Sequence, residues 1–304
     1  MDFLGEGTLL RTTEPIRVMR YGNPDGFPVL YFHGYPGSHY EAHLAEPVTR
    51  RLGFALYALD RPGYGASPAQ PELRLADWPS FQKKLVETLG FSRYGVLAVS
   101  GGAPYAYAQH HEADSHLVFT IILCGLPPVT GPLDYRRLPF LMRAHAILLR
   151  RAPRLVAGEA DWIAKRVRSE PDWLWRRVYR QVDACDREVL ADPRIHSLLG
   201  QSWRAALSTG GQGLVQDLVR YLSPWPYSGP PQRRTPLWVF HGGKDRIVSS
   251  DRVLDFASGI QGAELRLIEN EGHFSLPLRR EDELWATLAA SLRPSFPYEV
   301  ETTG

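Results

Sequence analysis

The sequence has little of what disulfide-stapled, zinc-binding, nucleic-acid-binding or membrane-spanning proteins need. Its 304 residues include only two cysteines, Cys124 and Cys185, too few for a disulfide framework, and no Cys and His spacing indicates a metal site. A net charge of +2 does not indicate a nucleic-acid partner. No apolar run reaches the roughly 18 residues of a membrane-spanning helix, and the first residues lack the basic start and apolar stretch of a signal peptide. We therefore expect a cytoplasmic protein that contacts no membrane.

Short apolar runs alternate with helical patterns along most of the chain. The runs lie at 27–34, 54–60, 94–100, 118–125, 237–242 and 263–270. Runs of this kind, rich in Val, Ile, Leu and aromatic residues, predict parallel strands that are buried on both faces. The helical patterns lie at 39–52, 77–91, 102–112, 250–259 and 279–292. Together with a leading hairpin at 6–13 and 16–21, they predict an α/β fold: a mostly parallel sheet flanked by helices, with its ligand crevice at the carboxyl ends of the strands.

One long segment interrupts this alternation. Residues 131–232 contain no convincing strand, and strands resume after them. The segment has several amphipathic helical patterns, for example FLMRAHAILLR (140–150), DWIAKRVR (161–168), WLWRRVYR (173–180) and GLVQDLVRYL (213–222). We predict a helical cap at 131–232, inserted into a core formed by 1–130 and 233–304. The segment holds five of the eight tryptophans and about 16 basic against 10 acidic residues. These residues either pack the cap on the core and face solvent, or form an aromatic acyl pocket under a basic rim that favours anionic substrates.

The stretch LAVSGGAPYA, residues 97–106, predicts a strand that ends at a serine and turns sharply into a helix. Such a corner is a nucleophile elbow, which exposes the Ser100 hydroxyl in the crevice and strains its backbone. Ala98 and Gly102 are the small residues that this tight turn requires. Gly101 places its N–H at the start of the helix, where an oxyanion would form.

A serine hydroxyl needs a base, and the base needs an orienting acid. Asp245 and His273 each follow a predicted strand, in the chain order Ser, Asp, His that belongs to this architecture. Asp60, Glu269 and Glu271 are rival acids. Glu269 and Glu271 share the loop of His273 and would have to curl back on it, and Asp60 starts a tight turn, where we expect a structural role. We therefore predict Asp245 as the orienting acid.

Five motifs together resemble the α/β-hydrolase superfamily over nearly the whole chain. They are HGYPGS (33–38), DRPGYGAS (60–67), AVSGG (98–102), HGGKD (241–245) and EGH (271–273). The resemblance implies Ser100 as nucleophile, His273 as general base and Asp245 as its orienting acid. It also implies an oxyanion hole formed by the N–H groups of Tyr35 and Gly101, a helical cap, and chemistry without a cofactor.

The expected activity is that of a serine hydrolase that cleaves a small carboxylic ester, lactone or thioester with an apolar acyl part, through an acyl-enzyme. Epoxide hydrolases and haloalkane dehalogenases use an Asp at the elbow, so Ser100 argues against both. One alternative is a proline iminopeptidase-like aminopeptidase, although the elbow of those enzymes usually reads GGSWG. Another is a ligand receptor of the same fold with weak hydrolysis. Cofactor-free haloperoxidases and carbon–carbon bond hydrolases keep the same triad and stay compatible with the sequence.

Overall fold

A computed structural model describes residues 8–10, 14–112, 114–170, 172–227, 231 and 235–292. Its strands form one eight-stranded sheet in the order β1-β2-β4-β3-β5-β6-β7-β8. The strands are β1 Thr8–Leu10, β2 Arg17–Gly22, β3 Phe27–Phe32, β4 Phe54–Asp60, β5 Tyr94–Val99, β6 Leu117–Leu123, β7 Leu237–Gly242 and β8 Ala263–Ile268. The predicted mostly parallel α/β sheet is confirmed: β2 pairs antiparallel with β1 and β4, and all other pairs are parallel.

Helices cover the sheet as the sequence predicts, with ends that differ by a few residues. The helices outside the inserted segment are α1 Glu46–Arg51, α2 Trp78–Leu89, α3 Ala103–His111, α11 Ser250–Ser258, α12 Ser275–Arg279 and α13 Glu281–Leu292. A 3-10 helix, His39–Ala45, occupies the first half of the helix predicted at 39–52. The predicted hairpin is present as β1 and β2, but residues 6–7 and 11–13 lie outside the described part of the chain.

The central strands are buried on both faces because helices lie above and below them. All six residues of β7 are buried, whereas the edge strand β8 alternates between half-buried and exposed positions. The strands predicted at 27–34, 94–100, 118–125 and 263–270 end one or two residues earlier than the apolar pattern suggests, and for two of them the backbone shows why. Ser100 and Cys124 take positive φ angles of 51° and 48°, a left-handed conformation that cannot continue a strand.

Seven helices lie between β6 and β7, in the segment predicted as a cap. They are α4 Pro132–Arg137, α5 Phe140–Arg151, α6 Pro153–Ser169, α7 Asp172–Gln181, α8 Ala184–Leu190, α9 Pro193–Ala206 and α10 Gln212–Leu222. The patterns singled out in the sequence fall within α5, α6, α7 and α10, whereas α4, α8 and α9 were not predicted. Residue 232 lies outside the described residues, so the predicted domain boundaries stay predictions.

The inserted helices pack closely on the core. Tyr64, which follows β4 and is fully buried, packs among Ala160, Trp203 and Leu214 of the inserted helices. In the described part of the chain, no helix is both long and apolar enough to cross a membrane.

Candidate active site

The turn between β5 and α3 holds Ser100 in a strained conformation. Its φ of 51° is uncommon for a residue with a side chain, and such strain persists only where the surroundings enforce it. The next two positions have no room for a side chain. A Cβ on Gly101 would lie 2.6 Å from the Cβ of Tyr35, and one on Gly102 would lie 2.4 Å from the carbonyl oxygen of Phe32. The two glycines are therefore required by this turn.

Ser100, His273 and Asp245 form a continuous chain of hydrogen bonds. The Oγ of Ser100 lies 2.9 Å from Nε2 of His273, and Nδ1 of the same ring lies 2.7 Å from Oδ2 of Asp245. The other oxygen of Asp245 accepts hydrogen bonds from the N–H groups of Ile247 at 2.8 Å and Val248 at 2.9 Å. Because the carboxylate accepts a hydrogen bond from the Nδ1–H group, Nε2 is left as an acceptor for the serine hydroxyl.

The imidazole and the carboxylate perturb each other. Burial alone lowers the pKa of His273, but the charge of Asp245 and its hydrogen bond outweigh burial and raise that pKa above its usual value. Burial raises the pKa of Asp245, yet the His273 ring and the loop N–H groups outweigh it, so that pKa lies below its usual value. The pair favours an ionised acid beside an imidazole that readily takes up a proton.

The loop after β3 brings the peptide between Gly34 and Tyr35 close to the peptide between Ser100 and Gly101. A Cβ on Gly101 would lie 3.3 Å from the backbone nitrogen of Tyr35, so the residues at 35 and 101 adjoin. The carbonyl of Gly34, which shares a peptide with the Tyr35 N–H, accepts from Arg61 Nη2 at 3.1 Å. The carbonyl of Ser100, which shares a peptide with the Gly101 N–H, accepts from the Leu126 N–H at 2.9 Å. Both peptides are thus anchored through their oxygens.

The rival carboxylates have other partners. Glu271 is buried and lies 3.3 Å from Nε of Arg280 and 3.7 Å from Nη1 of Arg279. Asp60 accepts hydrogen bonds from the backbone and the ring of His39, both at 2.8 Å. Among these acids, Asp245 is the one placed at the histidine.

Comparison with known proteins then decides the family. A model of the alpha/beta hydrolase family matches residues 29–287. The chain belongs to the alpha/beta hydrolase family. No curated protein matches the sequence significantly.

Solved structures share the fold of this hydrolase at low identity. An esterase from Exiguobacterium antarcticum is 16% identical with a TM-score of 0.67, over 94% of this chain and 99% of that one. Epoxide hydrolase A from Mycobacterium thermoresistibile is 19% identical with a TM-score of 0.66, over 94% and 98%. An enol-lactonase from Burkholderia xenovorans is 14% identical with a TM-score of 0.65, over 91% and 96%.

The hydrolase uses an acid of its inserted helices to hold the histidine loop. Asp186 of α8 is fully buried and accepts hydrogen bonds from the backbone N–H groups of His273 at 3.0 Å, Phe274 at 2.9 Å and Ser275 at 2.8 Å. The carboxylate caps the start of α12 and fixes the backbone that carries the imidazole. No pattern in the sequence indicates this role, because an isolated Asp in an amphipathic helix is typical of a solvent-facing position.

A second buried acid of the inserted helices forms an ion pair with Arg61, the residue that donates a hydrogen bond to the Gly34 carbonyl. Asp217 of α10 and Arg61 are both fully buried, with Oδ2 and Nη2 2.6 Å apart. The phenols of Tyr64 and Tyr221 lie 3.0 Å and 2.9 Å from the same oxygen, and Tyr105 contacts Oδ1. Burying two charges is costly unless they are paired and hydrogen-bonded, and here the guanidinium and the carboxylate are paired, with Nε of Arg61 the one guanidinium nitrogen that has no partner among the described residues.

An apolar cavity of about 160 Å³ opens beside Ser100. Its mouth lies at Tyr35 and Ile247, which are 38% and 39% exposed, whereas Ile121 and Trp285 of its floor are 3% exposed. The inserted helices contribute Leu174, Val178, Leu199 and Trp203 to its wall. Its described lining contains carboxyl groups but no Lys or Arg side chain.

One group of side chains has the composition of a metal site. Ligand atoms of Cys124, His241 and Asp245 all lie within 4.8 Å of one another. Two of the three are already engaged: Asp245 Oδ2 holds His273, and His241 Nε2 lies 3.1 Å from the Val248 carbonyl oxygen, to which it must donate a hydrogen bond. The Nε2 atom, which lies 3.5 Å from Asp245 Oδ2, therefore carries a proton and is not available as a metal ligand.

Proposed function

We propose that this hydrolase is a serine enzyme that cleaves a small carboxylic ester, lactone or thioester through an acyl-enzyme. The observation that carries the proposal is the Ser100–His273–Asp245 chain, with its 2.9 Å and 2.7 Å hydrogen bonds, at the mouth of an apolar cavity. Nucleophile and base within hydrogen-bond reach, with the base held by a third group, is the arrangement that activates a serine.

In this mechanism, His273 takes the hydroxyl proton as Ser100 Oγ attacks the substrate carbonyl. The tetrahedral oxyanion is stabilised by the N–H groups of Tyr35 and Gly101, which need no reorganisation because their peptides are anchored. His273 then gives its proton to the leaving alkoxide or thiolate. Water, deprotonated by the same imidazole, attacks the acyl-enzyme, and the proton returns to Ser100 as the acid leaves.

The cavity supports an apolar acyl part. Buried residues such as Leu97 and Ile121 form its floor, and we assign residues 131–232 as the cap that closes it over Ser100. The basic excess of the cap offers no argument for an anionic acyl group, since no arginine lines the described cavity wall. The aminopeptidase alternative has one observation in its favour: Glu41 and Glu281 in the lining are carboxyl groups that a substrate ammonium could pair with.

A fluorophosphonate probe should label Ser100 covalently, because the probe traps an activated serine next to its base. Peptide mapping of the labelled protein by mass spectrometry identifies the site. Labelling of a different serine, in protein that hydrolyses esters, contradicts the proposal.

Steady turnover of p-nitrophenyl esters, lactones, acyl-CoA thioesters and prolyl amides then separates the candidates. Continuous ester turnover supports the enzyme, and faster turnover of prolyl amides supports the aminopeptidase. A single burst without turnover supports the receptor, because its acyl group stays on the serine.

A further inference from the structure

The cavity beside Ser100 is lined by two carboxyl groups. Glu41 and Glu281 line it, and the described lining has no Lys or Arg side chain. Burial raises the pKa of Glu41 to about 7 and that of Glu281 to about 8. Neither acid has a part in the ester mechanism proposed above.

Glu41 lies near Ser100, on the other side of Gly34. It is 7% exposed, and its Oε2 accepts a hydrogen bond from the Gly34 N–H at 2.8 Å. A Cβ on Gly34 would lie 3.5 Å from that oxygen and 3.7 Å from the Ser100 Cβ, so the carboxyl and the serine flank the same glycine. On its other side, Ser202 of α9 approaches Oε1 at 3.5 Å.

We propose that Glu41 makes the cavity selective for uncharged acyl groups over anionic ones, an inference that rests on the proposed function. The closed part of the cavity suits the acyl group, because that group stays bound to Ser100 while the alcohol leaves through the mouth. An acyl carboxylate in this space would face the Glu41 charge in a medium of low dielectric. Repulsion of this kind is a common source of specificity.

The selectivity follows the ionisation of Glu41. The charged groups that face this carboxyl are Arg61, which is paired with Asp217, and His273, and Glu281 lies in the same cavity. The pKa of Glu41 is about 7, so at higher pH the carboxylate is ionised and repels an acyl carboxylate, whereas at lower pH the neutral acid does so much less. Titration of His273 alters the rate of every substrate alike, so a ratio of two substrates removes its contribution.

The experiment compares p-nitrophenyl pentanoate with the p-nitrophenyl monoester of glutaric acid. In the wild type, the ratio of kcat/KM for the pentanoate to kcat/KM for the glutaric monoester should rise about tenfold between about pH 6 and about pH 8.5. Both substrates keep one charge state over that range, so the change reports on the enzyme. In Glu41→Gln, which keeps an oxygen for the Gly34 N–H, the ratio should be smaller and should rise less with pH, with the remaining rise due to Glu281 in the same cavity. Glu46→Gln, in α1 and outside the cavity lining, is the matched control and should behave as the wild type.

A wild-type ratio that stays constant with pH overturns the inference, even if the Glu41→Gln protein fails to fold. So does an equal pH dependence in wild type and variant. Absence of any Ser100-dependent ester turnover overturns the proposed function instead, and the two failures are therefore distinguishable.

An independent observation concerns the buried pair Arg61 and Asp217. Arg61 donates to the Gly34 carbonyl at 3.1 Å, in the peptide that presents the Tyr35 N–H. A hydrogen bond to a carbonyl polarises its peptide and strengthens the N–H as a donor. The phenol oxygen of Tyr221 lies 2.7 Å from the Gly101 carbonyl oxygen as well as near Asp217. One cap helix, α10, therefore reaches both candidate oxyanion donors.

We infer that Tyr221 and Asp217 are positioning residues for the oxyanion hole, again on the basis of the proposed function. Neither touches the reacting atoms. They hold the backbone segments at 34–35 and 101, and a small displacement of such donors costs rate without changing substrate affinity. The cap would then serve the chemistry as well as the pocket.

Tyr221→Phe should lower kcat about tenfold with little change in KM. It should weaken a trifluoromethyl ketone inhibitor by a similar factor, because that inhibitor places a tetrahedral oxyanion in the same hole. A merely structural role would not move inhibitor affinity and kcat together at constant KM.

Tyr105→Phe is the matched control, since Tyr105 also contacts Asp217 but has no described contact with the peptides at 34, 35, 100 or 101. It should change kcat and inhibitor affinity less than about threefold while losing a comparable buried hydrogen bond. Equal effects of the two variants, or an unchanged kcat in Tyr221→Phe, contradict the inference.

Discussion

Ser100→Ala should lower kcat for an ester by on the order of 10⁵–10⁶ while the protein stays folded. The substitution removes the attacking oxygen but keeps a Cβ, so the positive φ of 51° has a similar cost in both proteins. The residual rate is expected from the oxyanion donors and from binding alone. Steady-state kinetics on one p-nitrophenyl ester, with circular dichroism to verify folding, measure the effect.

Ser249→Ala is the control for this change. Ser249 is exposed and precedes α11, and its side chain makes no capping hydrogen bond to that helix. We expect its kcat to match the wild type. A Ser100→Ala protein that keeps more than about one per cent of the wild-type kcat would show that another group attacks the ester.

Asp245→Asn should lower kcat by about 10²–10⁴. An asparagine can present an amide N–H where Nδ1 of His273 now donates, which favours the wrong tautomer and leaves Nε2 protonated toward Ser100. It also removes the charge that stabilises the imidazolium formed when His273 takes the proton. The fall in kcat is measured by steady-state kinetics on the same p-nitrophenyl ester that is used for Ser100→Ala.

Glu271→Gln tests the rival acid of the histidine loop. Glu271 contacts Arg279 and Arg280, so its loss should affect thermal stability more than catalysis. We expect kcat to fall by less than about tenfold. If Glu271→Gln proves more damaging to kcat than Asp245→Asn, the assignment of the acid is wrong.

The sheet could be predicted because its signals are local. Each apolar run is a strand, all but the edge strand β8 are largely buried, and parallel strands place their carboxyl ends on one edge. Ser100, Asp245 and His273 each follow such a run or end it, so their proximity follows from the topology once the runs are recognised. The strand ends predicted at residues 100 and 125 were one and two residues too late, because the positive φ angles of Ser100 and Cys124 are not visible in an apolar pattern.

The supporting acids could not be predicted, because their roles depend on long-range packing. Asp186 lies 87 positions before His273, whose backbone it holds, and Asp217 lies 156 positions after Arg61. In the sequence, both acids occur in segments of mixed charge that resemble solvent-facing helices. Glu41 likewise has no motif of its own. Only the packing of the inserted helices on the core turns Asp186 and Asp217 inward, and α8, which carries Asp186, was not predicted.

The buried pair of Arg61 and Asp217 also affects how the chain can fold while it is being synthesised. At about 5–20 residues per second, the ribosome adds the 156 positions between them in roughly 8–30 s. During that interval the first four strands can exist, but burying the Arg61 guanidinium would cost several kcal/mol without its carboxylate. The segment around Gly34 and Tyr35 therefore has to wait for α10 to leave the exit tunnel. We therefore expect that the N-terminal half of the nascent chain cannot by itself complete the surroundings of Ser100. We also expect chaperones and proteases to act on a fragment that stops before residue 217.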